Sequence, residues 1–226
     1  MKSVLITFSG IDGAGKTTQI EKLRAYLTQA GIPFQQLTFW DDVVLLRGAR
    51  TAFSRTVLQS DGTIGTPERP ANRRDKNNQT WPLQIGRSIL HLLDVWNLRR
   101  VVREVRARAE GVIIFDRYIY DQLAALPMDH WLARAYARAL LGLAPKPDLC
   151  YLLDAIPEVA RARKPEYPLD FMQKYRNGYL DLRKIAELQL IAAADVEDVH
   201  LAIVDRFTRS FVKLAQPAQI DSAVVA

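Results

Sequence analysis

Short apolar runs alternate with amphipathic stretches along this chain. The first run, SVLITF (3–8), is continuous and rich in β-branched residues, which predicts a strand buried on both faces. Ile20, Leu23 and Leu27 then recur at helical spacing. They predict a helix from about Lys16 to Ala30, stopped by Gly31. PFQQLTFW (33–40) predicts a second strand, and VVLLRGARTAFSRTVL (43–58) a helix weakened at Gly48. The polar stretch QSDGTIGTPERPANRRDKNNQT (59–80) has no apolar period and reads as a long surface insert.

A long helix is expected from Pro82 to about Ala109. Ile85, Ile89, Leu92, Leu93 and Trp96 mark its first buried stripe, continued by Leu98, Val101, Val102 and Val105. VIIFD (112–116) is a third strand, and a helix follows over about Trp131 to Leu141. DLCYLLD (148–154) is a fourth strand, because the preceding PKPD breaks helix. A short helix begins at Pro157 and stops before Pro165, and a longer one covers about Asp170 to Ala193. VHLAIVD (199–205) reads as a fifth strand, with a terminal helix near Phe207 to Leu214. This alternation implies an α/β fold: a five-stranded parallel sheet with helices on both faces and ligands at the carboxyl ends of the strands. Neither a repeat nor a linker divides the sequence, so residues 1–226 are expected to form one domain.

Composition adds little to that picture. Of 226 residues, 49% are hydrophobic and 25% charged, the balance of a soluble globular protein. The opening MKSVLITFSG runs straight into a glycine loop, so it reads as a core strand rather than a signal peptide, and a cytoplasmic protein is expected. The single cysteine, Cys150, lies in an apolar run and reads as a buried hydrophobe. The net charge is +6, with Arg99, Arg100, Arg103, Arg106 and Arg108 close together. On a helix these spread round a solvated face. No aromatic interleaving accompanies them, so no specific nucleic-acid partner is expected.

The chemistry is concentrated in FSGIDGAGKTTQ (8–19). Gly10-x-x-x-x-Gly15-Lys16-Thr17 matches the phosphate-loop pattern in full, between an apolar strand and an amphipathic helix. The glycines, with Asp12, Gly13 and Ala14 between them, let successive backbone N–H groups turn toward phosphate oxygens. The helix beginning at this point adds its positive end. Lys16 supplies an ammonium for the outer phosphates, Thr17 a hydroxyl for Mg²⁺, and Thr18 follows in the first turn. These residues predict binding of a nucleoside triphosphate. Asp12 reads either as a turn-favouring residue before Gly13 or as a carboxylate directed at Mg²⁺-bound water or an acceptor hydroxyl.

FSGIDGAGKTTQ resembles the opening of thymidylate kinases, and three further segments strengthen the resemblance in the same order. They are DRYIYD (116–121), YLLDAIPEVARARK (151–164) and FMQKYRNGYLDL (171–182). The resemblance spans about Val4 to Leu182 and implies the P-loop NTPase fold, a lid at about 157–168, ATP and Mg²⁺ as cofactors, a nucleotide substrate and transfer of a phosphoryl group to dTMP. It implies that Asp116 helps hold Mg²⁺ and that Arg117 grips the acceptor phosphate, a role suited to a guanidinium. Arg161, Arg163 or Lys164 would close over the transferring group, with Arg161 and Lys164 on one helical face. A homodimer through the long helix is what the family suggests.

The acceptor side departs from the family pattern. Where an arginine-bearing motif is usual, this chain has FWDDVVLLRGAR (39–50), with Asp41 and Asp42; Arg47 or Arg50 would have to substitute. Asn97 falls closest to the family's base-contacting arginine, with Arg99 and Arg100 nearby, and Ala124–Ala125 stands where the family often has an Ala-Tyr pair. Two alternatives follow: a kinase of the same fold acting on another nucleotide, nucleoside or small metabolite, and a nucleotide-binding protein without catalysis.

Overall fold

The computed structural model describes residues 3–45 and 81–215. The insert at 59–80, most of the predicted helix at 43–58 with Arg47 and Arg50, and residues 216–226 lie outside the described residues. Five strands form one parallel sheet: β1 (Val4–Ser9), β2 (Phe34–Thr38), β3 (Val112–Asp116), β4 (Leu149–Leu153) and β5 (Gln189–Ile191), in the order β2-β3-β1-β4-β5. All six residues of β1 are buried, as a central strand covered on both faces requires.

Strand alternation divides the core. Leu5, Ile113, Phe115, Cys150 and Leu152 face one side of the sheet. That side is covered by α2 (Trp81–Arg108), α3 (Ile119–Leu123), α4 (Trp131–Leu143) and α6 (Leu169–Leu182). Ile6, Phe8, Ile114, Tyr151 and Leu153 face the other side, against α1 (Lys16–Gln29) and α7 (Val196–Ala215). The remaining helix, α5 (Pro157–Arg163), sits at the carboxyl edge between β4 and α6.

Three expectations are corrected. VHLAIVD is not the fifth strand; it lies inside α7, where Val199, Ile203 and Phe207 are buried at helical spacing and Leu201 is exposed. Glu197 and Asp198 in its first turn favour the helix end electrostatically. The fifth strand is instead three residues, Gln189–Ile191, paired with Tyr151–Leu153. The helix expected to reach Ala193 therefore stops at Leu182. Second, β2 ends at Thr38, and Phe39–Val43 form a single π-helical turn, with the Asp42 carboxylate accepting from the Thr38 N–H at 2.6 Å.

The third correction concerns α2. Its bounds agree with expectation, but Ile89, Leu92, Leu93 and Trp96 are exposed, Trp96 by 64%. The buried face is Val95, Leu98 and Val102, together with Asp94. The helix is apolar on two faces, and on the inner one Asp94 is buried with its hydrogen bonds met. Its Oδ1 accepts from Leu45 N–H at 3.0 Å and its Oδ2 from Gln122 Nε2 at 2.6 Å, partners that only the inner face meets.

Candidate active site

The site is built where β1 and β3 end side by side. Phe8 pairs with Asp116, and the N–H of Arg117 donates to Phe8 O at 2.9 Å, so the glycine loop leaving β1 and the DRY segment leaving β3 emerge together. Gly10 and Gly13 fit where no other residue would. A Cβ on Gly10 would lie 2.4 Å from Leu153 O, and one on Gly13 2.2 Å from Ala160 O; both have positive φ. The second contact seats α5 directly on the loop. Gly15 caps α1 in the left-handed conformation with no side-chain cap, leaving the first-turn N–H groups of a 14-residue helix for another acceptor.

Lys16 is buried. Its ammonium donates to Gly10 O at 2.7 Å and Ile11 O at 2.9 Å, folded across the loop. Burial, reinforced by the nearby Arg117 charge, brings its pKa down to about 8, although the surrounding aspartates oppose the shift. Thr17 and Thr18 are exposed on the first turn of α1. Asp116 is half-buried, and burial raises its pKa despite the opposing charges of Arg117 and Lys16.

Arg117 sits at φ 69, a strained setting for a non-glycine residue. Its guanidinium bridges two carboxylates: one terminal nitrogen donates to Asp12, the other to Asp121 Oδ1 at 2.9 Å. Burial would raise the Asp12 pKa, but Arg117 and Lys16 outweigh it and hold the carboxyl below its ordinary range. Burial would weaken the Arg117 proton, but Asp121 and Asp12 reverse this and hold it firmly. Asp12 thus does more than favour a turn: it reaches from the phosphate loop to the DRY segment. Asp121 is fully buried, and its Oδ2 accepts from Ser9 Oγ at 2.8 Å and from Tyr118 N–H at 3.4 Å. Tyr175 on α6 donates its hydroxyl to the Asp121 carbonyl. Sequence reasoning gave no role to Ser9, Asp121 or Tyr175. The i,i+4 spacing of Arg117 and Asp121 was the available signal.

The three cations expected in the lid diverge. Arg161 is half-buried, with its Nε enclosed and without a hydrogen-bond partner among the described residues. Arg163 borders a small open cleft of about 60 Å³ with Ala14, Asp154, Ile156, Val159 and Ile191. Lys164 has left the helix, with φ −143 and ψ 86, and pairs with Glu166 at 3.1 Å, so it does not continue the Arg161 face. Beneath α5, Arg176 grips Asp154 through two hydrogen bonds of 2.6 and 2.7 Å, tying the end of β4 to α6.

On the acceptor side, Asn97 donates to Val43 O at 2.7 Å and Arg100 pairs with Glu104 at 2.8 Å on the same helix. Neither shares a hydrogen bond with the Arg117 cluster among the described residues. Ala124 and Ala125 border a groove of about 480 Å³ with Phe171, Lys174 and Asn177.

These groups suit a polyphosphate and a divalent cation. A loop with no room for a Cβ at Gly10 or Gly13, uncapped N–H groups and a buried ammonium recruit anionic oxygens. Thr17 and Asp116 offer the few hard oxygen ligands that Mg²⁺ takes alongside phosphates. Among the described residues, no helix is long and apolar enough to cross a membrane.

No protein-family model matches the chain. Curated relatives do. It is 30% identical over 195 residues to the thymidylate kinase of Bifidobacterium longum (strain DJO10A), covering 80% of this chain and 84% of that protein. It is 29% identical to the thymidylate kinase of Chlorobium luteolum over 92% of this chain and 98% of that protein. To the probable thymidylate kinase of Pyrococcus abyssi it is 27% identical, over 90% and 95% respectively.

Proposed function

This chain belongs to the thymidylate kinase family, and from that premise we propose that it transfers the terminal phosphoryl group of ATP to dTMP, yielding ADP and dTDP. An oxygen of the acceptor phosphate attacks the γ-phosphorus, the bond to the β–γ bridging oxygen breaks, and that oxygen leaves with ADP. The acceptor is already anionic, so the step needs no strong base; catalysis is alignment and charge neutralisation.

Each residue then has a task. The N–H groups of Gly10, Asp12, Gly13, Ala14 and Gly15 and of the first turn of α1, including Thr18, hold the donor phosphates. The Lys16 ammonium exchanges its two loop carbonyls for donor phosphate oxygens. Thr17 and Asp116 would hold Mg²⁺, which supplies charge neutralisation when bound. Arg117 aligns the acceptor phosphate. Residues 157–168 act as the lid of a single 1–226 domain, with Arg161 and Arg163 the leading cations over the transferring group and Lys164 released from Glu166 on closure. A cytoplasmic enzyme, able to pair with a second copy, accords with this reading.

The observation that carries the proposal is the junction of the two halves. Arg117, suited to an acceptor phosphate, is hydrogen-bonded to Asp12 inside the donor loop, so the two phosphates would meet at one point. A simple nucleotide binder needs no such junction. A second reading is favoured by Asp42 and Asn97, both engaged with backbone in the segment after β2 where base and phosphate contacts were expected. It is a kinase of this fold with another acceptor. A panel of nucleoside monophosphates, nucleosides and small metabolites, scored by ADP release with ATP and Mg²⁺, decides between them. ADP release greatest with dTMP is the expected result. A different preferred acceptor replaces the substrate assignment, and no release with any acceptor removes catalysis.

A further inference from the structure

Arg117 has two carboxylate partners, and they are not equivalent. Asp12 lies in the glycine loop, is part-exposed, and is held to the cluster through Arg117. Asp121 is 1% exposed, sits in α3, and is fixed from three directions. Ser9 Oγ and Tyr118 N–H donate to Oδ2, Arg117 takes Oδ1, and Tyr175 hydrogen-bonds its backbone carbonyl. Gly178 of α6 also packs so closely on Ala124 that a Cβ there would lie 2.0 Å from the Ala124 carbonyl, leaving α3 no room to retreat.

Where an acceptor phosphate takes the terminal nitrogen that Asp12 holds, Asp12 is the carboxylate that yields, because Asp121 is fixed by its other partners. We infer that Asp121 is the positioning residue of the acceptor arginine: it keeps one terminal nitrogen of Arg117 anchored while the other is handed from Asp12 to the incoming phosphate. The guanidinium then presents its free edge in a fixed plane, as bidentate recognition of phosphate requires. With the anchor removed, the arginine follows Asp12 and the acceptor has to compete for the whole guanidinium. Because Ser9 is the last residue of β1, the anchor also sets Arg117 relative to the donor loop that begins one residue later.

This inference rests on the role proposed for Arg117, and a double-mutant cycle separates the two. Steady-state kinetics with dTMP and ATP would be measured for Asp121→Asn, Arg117→Lys and the double variant. Asp121→Asn keeps the volume and removes the charge that anchors Arg117. It is expected to raise the dTMP KM about tenfold, the loss typical of one charge-assisted hydrogen bond, with the ATP KM within about twofold of wild type. Arg117→Lys raises the dTMP KM on its own, and adding Asp121→Asn to it costs less than about twofold more, because the anchored group is gone. Ser9→Ala, which removes one of the two donors to Oδ2 without touching a charge, gives a smaller rise of about twofold to threefold in the same parameter and covers the case of Asp121→Asn failing to fold.

If Arg117→Lys raises the dTMP KM but neither Asp121→Asn nor Ser9→Ala does, the positioning role is overturned and the role of Arg117 stands. An equal tenfold effect of Asp121→Asn in the Arg117→Lys background overturns it as well. If Arg117→Lys leaves the dTMP KM unchanged, the acceptor role of Arg117 falls and this inference falls with it.

Discussion

Replacing Gly13 with alanine probes the contact between the phosphate loop and α5, the proposed lid helix. The added methyl meets two costs of different origin. At φ +81 an alanine is strained by about 1–2 kcal/mol, whatever surrounds it. It also lies 2.2 Å from Ala160 O, whereas ordinary contact begins near 3.4 Å, so α5 has to retreat by roughly 1 Å. Gly31→Ala, beyond the far end of α1, is the internal control. It carries the same kind of backbone strain, at φ +66, but its Cβ has no neighbour within 4 Å.

Both variants are expected to lose about 2–8 °C in Tm from the shared strain. Only Gly13→Ala moves the helix that carries Arg161 and Arg163. A misplacement of 1 Å in such groups costs about a hundredfold in rate, or about 2.7 kcal/mol of transition-state stabilisation. The assay is kcat with saturating ATP and acceptor, beside Tm by scanning calorimetry. Equal kcat values for the two variants would refute the reasoning: α5 would then not sit on Gly13 during turnover, and its arginines would act from elsewhere or not at all.

Two further outcomes follow. Lys16 loses its proton as pH rises through about 8, because burial depresses its pKa, and donor phosphates should restore that proton. ATP binding should therefore take up protons above that pH and weaken by up to about tenfold per pH unit there, measured by titration calorimetry in two buffers of different ionisation enthalpy. Pairwise comparison on α2 tests the corrected helix face: Leu98→Ala, at a fully buried position, should cost about 2–5 kcal/mol, while Trp96→Ala, at a residue 64% exposed, should cost under about 0.5 kcal/mol by denaturant unfolding.

Much of the fold was legible because local and global signals agreed. SVLITF, VIIFD and DLCYLLD have the continuous apolar character of buried parallel strands, and each forms one within a residue or two of its expected bounds. Agreement broke where a pattern had two solutions. VHLAIVD has the apolar, β-branched look of a strand, but Val199, Ile203 and Phe207 gain a buried helical stripe that extended chain would lose. The actual β5 is only three residues and begins with a Gln, so its pairing to β4 rather than its own composition makes it a strand. On α2, periodicity could not choose between two apolar faces, and the partners that make the inner face habitable for Asp94, Leu45 and Gln122, are remote in sequence. The same limit applies to the candidate site. Its linear motifs were visible as motifs, whereas Ser9 and Asp121 become partners only when β1 and β3 lie side by side.

The central claim is that the loop at Gly10–Thr17 and the Arg117 cluster bring a donor and an acceptor phosphate together for direct transfer. The measurement that tests it most directly follows label from γ-³²P-ATP into dTMP, with wild type and Lys16→Ala compared under single-turnover conditions. The account predicts labelled dTDP from wild type and a loss of at least about a hundredfold in Lys16→Ala with the fold intact by circular dichroism. Undiminished labelling in Lys16→Ala, or ADP formed without any labelled dTDP, would contradict it.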